Sequence, residues 1–283
     1  MAKEGRKIKT IDPMNIMVPY IMPDRTGASN LFEATVDITN AEKYLREKRA
    51  GNCKNIGMMH VFMAAYVRMV SQMPGINRFI RGQRIYARNG IEMNLTIKKE
   101  MTLEAQETVV KIPAIPTDTL EDIYNKVNVM VTENKQEGDR NGMDSTARFL
   151  SYVPGLFLKF IVWFLKTLDY FGLLPKAILK VSPFHGSMFI TNMGSLGIDP
   201  VYHHLYNFGN IPVFISMGRR KTYMKINENG EESRKKVMGL TAVCDERICD
   251  GNYYAQAFKL IKKYIENPWL LDKPPEKVIE DIR

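Results

Sequence analysis

The sequence predicts an α+β sandwich. Helix-like and strand-like runs are mixed along the 283 residues, without the regular alternation that defines a parallel β-α-β protein. The apolar share of 45% is ordinary for a globular protein. The length allows one large domain or two small ones, and it suffices for a sizeable core.

Strands are predicted where apolar and polar residues alternate or where short β-prone runs occur. Residues 31–38 alternate in this way, and the other candidate strands are residues 84–87, 92–97, 109–115, 187–192, 211–217 and 235–244. Asn89-Gly90 and Asn229-Gly230 each lie between two strand candidates, and Asn-Gly is a strong hairpin signal. We therefore expect a hairpin at each pair.

Helices are predicted over residues 40–50, 56–73, 119–131 and 254–266. Pro74 and Gly75 end the second helix, and Thr119 is placed to cap the third. His60 lies inside the apolar second helix, which favours a packed, hydrogen-bonded residue over a ligand. Residues 134–146 are polar and contain glycine, which predicts a loop.

Residues 156–180 form an unusual apolar segment. Lys159, Lys166 and Asp169 fall on one narrow face of a helix and leave a wide apolar arc. No uninterrupted apolar stretch reaches the roughly 20 residues that a membrane-spanning helix needs. Three interpretations stay open: a core helix, a subunit contact, or a helix lying in a membrane surface. Residues 172–175, with a glycine and a proline, are expected to divide the segment into two helices.

The formal net charge of +9 requires an anionic partner or a well-solvated surface. The charge is spread along the chain, and the densest runs are residues 219–221 and 234–236. There is no zinc-finger spacing, RNA-binding signature or basic region running into heptads, so nucleic acid is not an expected partner. No set of His and Cys residues has metal-ligand spacing, so no metal is expected.

The N-terminal residues and the cysteines favour the cytoplasm. Several cations occur in the first ten residues, but neither an apolar run nor a small-residue cleavage site follows them. The three cysteines form no C-x-x-C pair and leave an odd count. We therefore expect free thiols in a reducing cytoplasm, with the membrane-surface interpretation of residues 156–180 kept beside it.

Charged residues are concentrated in the turn between the last predicted strand and the last helix. Asp245, Glu246, Arg247 and Asp250 lie within six residues, just before Gly251. Such a cluster can brace a turn, with the arginine paired to a carboxylate. It can also carry acid–base chemistry, since no phosphate-binding loop, dinucleotide fingerprint or nucleophile elbow occurs elsewhere.

The turn, DERICDG, is similar to the H-x-x-x-D-G motif of the dihydrolipoamide acyltransferases of 2-oxo acid dehydrogenase complexes. These enzymes share a superfamily with chloramphenicol acetyltransferase. Further blocks resemble the family in the same order, over about residues 31–271: TVDITNAEKYLREKR, GQRIYARNGIEMNLTI, TNMGSLGID and VFISMGRR. The resemblance implies a chloramphenicol acetyltransferase-like two-layer sandwich with a mixed sheet flanked by helices, assembled as a homotrimer with active sites between subunits.

The resemblance also implies a catalytic mechanism. In the family a histidine deprotonates the attacking thiol or hydroxyl, and a Ser or Thr hydroxyl stabilises the oxyanion. Thr191 stands at the hydroxyl position and Asp250 at the mainly structural motif aspartate. Glu246 stands in place of the catalytic histidine, and an unperturbed glutamate, with a pKa of about 4.3, is a poor base for a thiol. Burial could raise that pKa and make Glu246 a base.

His203 and His204 are a second candidate for the base. They follow the Thr191 block, in the stretch that lines the acceptor side of the pocket in the family. One of them could act with Glu246, the carboxylate orienting the imidazole, or both could simply pack. Arg219, Arg220 and Lys221 (residues 219–221) follow the strand near which the family binds CoA, and these cations could meet its phosphates.

The sequence leads to three hypotheses. The first is a stand-alone, CoA-dependent acyltransferase acting on a small thiol, hydroxyl or amine acceptor. It has one domain over residues 1–283, with no lipoyl domain, subunit-binding domain or covalent lipoyl group. The second is a catalytically impaired trimer that binds CoA or serves as a scaffold, favoured by the loss of the histidine. The third is a peripheral membrane protein that acts on lipid-like acyl chains.

Overall fold

Two sheets organise the molecule in the computed structural model, which describes residues 4–98, 107–136, 152–226 and 232–283. The smaller sheet has the order β1-β4-β3, formed by β1 (Gly5–Lys7), β3 (Arg78–Arg81) and β4 (Arg84–Arg88). The larger contains β2 (Ser29–Asp37), β5 (Ile91–Lys98), β6 (Glu107–Ala114), β7 (Met188–Asn192), β8 (Val213–Ile226) and β9 (Glu232–Asp245).

The larger sheet is mixed and has the order β2-β9-β8-β7-β5-β6. Strand β7 runs parallel to both of its neighbours, whereas the remaining pairs are antiparallel. Seven α-helices accompany the described strands: α1 (Pro13–Ile21), α2 (Thr39–Ala50), α3 (Met58–Gln72), α4 (Leu120–Gln136), α5 (Gly155–Tyr170), α6 (Lys176–Val181) and α7 (Gly251–Glu266).

The core lies between one face of the larger sheet and the helices α3, α4 and α7. Helix α3 is buried along nearly its whole length, as its unbroken apolar sequence predicts. It packs with inward residues of the central strands, among them Ile190, Ile215 and Ala242. His60 is buried on α3 and accepts a hydrogen bond from the Gly57 amide at 3.0 Å, which confirms the packed role. The predicted α+β fold, a mixed sheet flanked by helices, is confirmed.

The predicted strands and helices are found with shifted ends, and β8 continues to Ile226, well beyond the predicted residue 217. One predicted hairpin is wrong. Asn89-Gly90 joins β4 to β5, and these two strands belong to different sheets. The hairpin forms instead between β3 and β4, where Gly82 and Gln83 both have positive φ, at 54° and 57°. That combination is the backbone of a type I′ turn. The second predicted hairpin turn, Asn229-Gly230, lies outside the described residues, although the strands that flank it pair antiparallel.

Other differences concern three elements that the sequence did not predict and the segment 134–180. Strands β1 and β3 and helix α1 were not predicted. Helix α4 extends to Gln136, so the predicted loop begins no earlier than residue 137, and residues 137–151 are outside the described part. Residues 156–180 form two helices as predicted, but α5 contains no buried residue, so the core-helix interpretation is wrong. Among the described residues, no helix is long and apolar enough to cross a membrane.

Candidate functional site

Three hydroxyl side chains form a row across the outer face of the sheet. Thr191 on β7 is the register partner of Ser216 on β8, and Ser216 is the partner of Thr241 on β9. Residues directly opposite each other in a sheet point to the same face, so the three hydroxyls lie side by side. All three residues are buried, because the chain after β7 folds back over this face.

That returning segment is fixed to the strands by hydrogen bonds and by close packing. Thr241 donates its hydroxyl to the Val201 carbonyl at 2.6 Å, and the Val201 amide donates to Ser216 Oγ at 3.3 Å. Pro200 lies directly over β8, and a side chain at Gly218 would collide with its ring. The glycine that ends the VFISMG block is therefore required for the loop to approach the sheet.

The segment places His203 against the hydroxyl row. Its Nε2 lies 3.1 Å from Thr191 Oγ1, and its ring stacks on Phe214 with centroids 4.4 Å apart and planes 16° apart. Burial, and secondarily the neighbouring His204, lower the pKa of His203 below its ordinary value of 6.5. The ring is thus oriented, hydrogen-bonded and predominantly neutral near pH 7, which are properties of a general base. His204 is exposed.

The charged turn after β9 is a different kind of environment. Asp245 and Arg247, both buried, form a bidentate pair, with Arg247 Nε and Nη2 each donating to a carboxylate oxygen at 2.8 Å. Arg25 Nε lies 3.7 Å from Asp245 Oδ2. Burial lowers the pKa of Arg25 to about 10, so it stays charged at neutral pH. Asp245 and Arg247 therefore brace the turn, which is one of the two roles that the sequence predicts for this cluster.

The other polar residues of the turn divide between capping and solvent. Asp250 is the N-cap of α7 and accepts a hydrogen bond from the Tyr253 amide at 2.8 Å. Burial raises the pKa of Cys249 to about 12, so its thiol is not a nucleophile near neutral pH. Glu246 is exposed. Its backbone amide bonds to Ala28, but within the part of the chain that the structure describes its carboxylate makes no hydrogen bond or ion pair.

Within one chain the structure separates Glu246 from Thr191 and His203. Thr191 is in register with Thr241, two strands away, and Glu246 follows Thr241 by five residues. Five residues along a strand span roughly 17 Å, and two strand spacings across the sheet span roughly 10 Å. The pairing of Glu246 with His203 or His204 that the sequence suggested is therefore absent inside a single described chain.

The predicted CoA-binding cations are exposed, and each contacts a carboxylate. Arg219 Nε and Lys221 Nζ lie 3.2 Å and 2.9 Å from the two oxygens of Asp199. Arg220 Nη1 lies 3.3 Å from Glu42 Oε1, a carboxylate that it shares with Lys236. Exposed pairs of this kind exchange readily, so these cations stay available to an anionic ligand that competes for them.

A network of buried charges that the sequence did not reveal lies near the turn after β9. Asp169 on α5 lies 3.2 Å from His185 Nε2 and 3.9 Å from Arg81 Nη2. Burial opposes ionisation of Asp169, but the adjacent His185 and the nearby cations together hold its pKa below the usual value. Arg81 also pairs with Glu4. Only proximity in the folded chain joins these residues, so no local sequence signal could have found them.

A pocket of about 220 Å³ opens beside this network. Its charged lining residues are four cations and two carboxylates: Arg25, Arg81, Lys166, Arg247, Asp24 and Asp169. The pocket lies at the end of the sheet where β9 ends, away from Thr191. Among the described residues, no cluster of three or more His, Cys, Asp or Glu side chains could hold a metal ion.

Comparisons with known proteins agree with this fold. Residues 175–272 match the family model described as the catalytic domain of 2-oxoacid dehydrogenases acyltransferase. That interval contains Thr191, both adjacent histidines, the 219–221 run, Glu246 and Asp250. A search of curated proteins finds no match.

Three of the solved structures similar to the chain are acetyltransferases. A probable dihydrolipoamide acetyltransferase from Listeria monocytogenes 4b F2365 is 15% identical, with a TM-score of 0.58, covering 93% of this chain and 95% of that one. The Azotobacter vinelandii dihydrolipoamide acetyltransferase is 11% identical, with a TM-score of 0.58 and coverages of 91% and 88%. A chloramphenicol acetyltransferase is 13% identical, with a TM-score of 0.54 and coverages of 91% and 99%.

The class that these findings define is the chloramphenicol acetyltransferase-like α+β sandwich, as the sequence predicted. At these identities the structural likeness shows the fold alone. The resemblance to the acyltransferases of 2-oxoacid dehydrogenase complexes is confirmed at the level of sequence over residues 175–272.

Proposed function

We propose that the protein is an acyltransferase that moves an acyl group between CoA and a small thiol, hydroxyl or amine acceptor. The observation that carries this proposal is the contact of Thr191 Oγ1 with His203 Nε2 at 3.1 Å. It lies inside the interval that matches the acyltransferase family model. A hydroxyl and an imidazole are also among the groups studied for their role in the mechanism of the Azotobacter vinelandii enzyme, where they belong to a serine and a histidine.

The chemistry assigned to the pair is general-base catalysis with stabilisation of the oxyanion. His203 Nε2 accepts the proton of the acceptor S–H, O–H or N–H as the sulfur, oxygen or nitrogen attacks the thioester carbonyl carbon. The Thr191 hydroxyl donates a hydrogen bond to the oxyanion that forms. The carbon–sulfur bond of the acyl-CoA then breaks, and the proton passes from His203 to the departing CoA thiolate.

The donor is assigned to CoA through the cations that follow the central strand. Among the described residues, Arg219 and Lys221 share one carboxylate, that of Asp199, and Arg220 shares Glu42 with a second cation. The excess positive charge supports binding of the CoA phosphates. We further propose that this catalytic domain assembles as a homotrimer, as the family resemblance implies, and that it acts in the cytoplasm without a covalent lipoyl group.

The test is release of the free CoA thiol from a panel of acyl-CoA thioesters with thiol, alcohol and amine acceptors. We expect turnover with at least one donor, and a fall in kcat of about 10²–10⁴-fold for His203→Asn, the range of general-base catalysis. His204→Asn is the matched control, because this exposed neighbour should leave turnover near wild type at pH 7.5. Absence of thiol release with every donor, or equal effects of the two substitutions, would overturn the proposal.

A second candidate function is a CoA-binding or scaffold homologue without catalysis. It is favoured by Glu246, which replaces the family's histidine and is exposed without a side-chain partner among the described residues. Calorimetric titration with CoA separates the two functions. Stoichiometric binding by wild type, lost on charge reversal at Arg219 and Lys221 and unaccompanied by turnover of any thioester, would establish the second candidate in place of the first.

A further inference from the structure

Helix α5 presents a large apolar surface to solvent. It contains no buried residue, and its outward side consists chiefly of Leu156, Phe157, Phe160, Trp163 and Phe164, which are 84, 67, 58, 59 and 47% exposed. Phe160 contacts Trp163 and Phe164 through its ring, so the side chains form one continuous aromatic surface. A contiguous surface of this kind on a folded protein marks an interaction site.

Within residues 152–181, the charged side chains exposed on this surface are all lysines. Asp169 is the single acidic residue between residues 152 and 181, and it is turned inward, with its side chain 13% exposed, toward His185 and Arg81. Lys159, Lys166, Lys176 and Lys180 are exposed. None of the four lysines pairs with a carboxylate within residues 4–98, 107–136, 152–226 and 232–283. Helices α5 and α6 therefore offer aromatic side chains flanked by uncompensated cations.

We propose that α5 and α6 form a docking surface for a bilayer that contains anionic lipid. An interfacial helix buries its apolar face about 5–10 Å into the headgroup region and carries lysine on its flanks, and both features are present. Lysines on the flank can extend their ammonium groups to the phosphates while their methylene stems lie along the acyl chains. The inference stands independently of the acyltransferase activity.

Charge distinguishes a bilayer from a two-fold contact with a second copy of the chain. In a trimer the patch would meet a different surface of the neighbouring subunit, whereas a two-fold contact places the same patch of each subunit against the other, so the lysines of one α5 would face those of its partner. Such a contact brings like charges together, whereas an anionic bilayer supplies the missing negative charge. The free lysines thus favour lipid.

The C-terminal turn of α5 is attached to the rest of the fold. This turn is fixed by Asp169, by the hydrogen bond from Tyr170 to Gln83 at 3.1 Å, and by the close approach of Gly82. The cation-rich pocket described above is lined in part by Lys166, Asp169 and Tyr170. Docking would therefore bring this pocket within about one helix diameter, ~10 Å, of the lipid headgroups.

The chain has two tryptophans, which provide a direct test. Trp163 lies on α5 and Trp269 follows α7, and both are about half exposed. In Trp269→Phe, titration with phosphatidylcholine–phosphatidylglycerol vesicles should shift the emission of Trp163 to shorter wavelength. In Trp163→Phe, the emission of Trp269 should stay unchanged. No shift in the first variant, or equal shifts in both, would overturn the proposal.

Co-sedimentation with the same vesicles measures the contributions of the two kinds of side chain. Phe160→Ser should lower the partition coefficient at least tenfold, since it removes a large apolar side chain from the contact. Lys159→Gln and Lys166→Gln should each lower it roughly fivefold, with a smaller effect in high salt or on pure phosphatidylcholine. Tyr223→Ser is the control, because Tyr223 is 57% exposed on β8 and should leave binding unchanged.

The oligomeric state of the protein distinguishes membrane binding by α5 from a contact between copies of the chain. Sedimentation velocity without lipid should give the same molecular mass for Phe160→Ser and wild type. If Phe160→Ser instead dissociates an oligomer, and wild type shows no binding to anionic vesicles, then α5 is a contact between copies and the membrane proposal fails.

Discussion

Two ends of the same sheet invite opposite conclusions from sequence and from structure. The turn after β9 carries four charged residues in six and draws attention as a reaction centre, yet Asp245 and Arg247 are bound to each other and Asp250 caps a helix. The end of β7 carries no charge cluster, yet there Thr191 contacts an oriented imidazole, that of His203. Density of charge is a weaker guide to chemistry than a hydroxyl and a base within hydrogen-bond reach.

Burial has different effects on the polar groups at the two ends of the larger sheet. At the turn, buried Asp245 and Arg247 are bound to each other, so both are engaged in holding the turn. Beside Thr191, burial lowers the pKa of His203, which keeps the base unprotonated. Substitutions at the turn should therefore change stability, and those at the Thr191 end should change turnover.

The largest effect on stability is expected from Asp245→Asn. The substitution keeps the shape of the side chain but leaves the buried Arg247, with Arg25 nearby, without its counter-charge. Breaking one partner of a buried pair costs about 3–5 kcal/mol, measured as the free energy of unfolding in urea. Asp199→Asn is the control, since its pairs with Arg219 and Lys221 are exposed and the urea midpoint should not move. Equal midpoints for the two variants would contradict the structural role of the turn.

The next largest effect is expected from Thr191→Val, which replaces the hydroxyl by a methyl group of similar size. Loss of one oxyanion donor lowers kcat by about 10²–10³-fold, with little change in the free energy of unfolding. Thr191→Ser retains the hydroxyl and should restore most of the activity. If the valine variant keeps wild-type turnover, the hydroxyl has no part in catalysis.

Sequence reasoning predicted those features that depend on local pattern or on order along the chain. The strands and helices were found because their periodicity is local, and the family-like blocks were found because their order can be read along the chain. The Asn89-Gly90 hairpin was wrong because a turn signal does not say which strands pair. Helix α1 was missed although Asp12 and Pro13 are a start signal, because Pro19 interrupts its pattern.

The candidate site was predicted only in part, because local patterns do not show which residues meet in the folded chain. Thr191 and His203 were both named, but their contact depends on a loop that folds back over β8, and that path depends on Gly218. The apolar arc of α5 was visible in the sequence. Whether the core has room for that arc is a property of the whole fold, so the core-helix interpretation could not be rejected beforehand.

The pH dependence of turnover should report the environment of His203. Because burial and His204 lower its pKa below 6.5, the base is mostly unprotonated at pH 6.5, and the acid limb of activity should lie below that pH. The fall should be about tenfold per pH unit on the acid limb. In His204→Asn the contribution of the neighbouring charge is absent, so the acid limb should move to higher pH. A limb that does not move would show that the titrating base is not His203.

The smallest effect on turnover is expected from Glu246→Gln. This substitution tests whether the turn after β9 takes part in the chemistry proposed for Thr191 and His203. Glu246 is exposed, and register places it on the order of 20 Å from Thr191 within one chain. The variant should therefore keep kcat within about threefold of wild type, a change too small for loss of a general base. Glu246→His, which restores the family's residue, should bring no large gain while His203 supplies the base.

If Glu246→Gln instead lowers kcat as strongly as His203→Asn, then Glu246 of one subunit must lie near His203 of another. Mixing the two inactive variants would then restore activity, because a hetero-oligomer contains some sites with both residues intact.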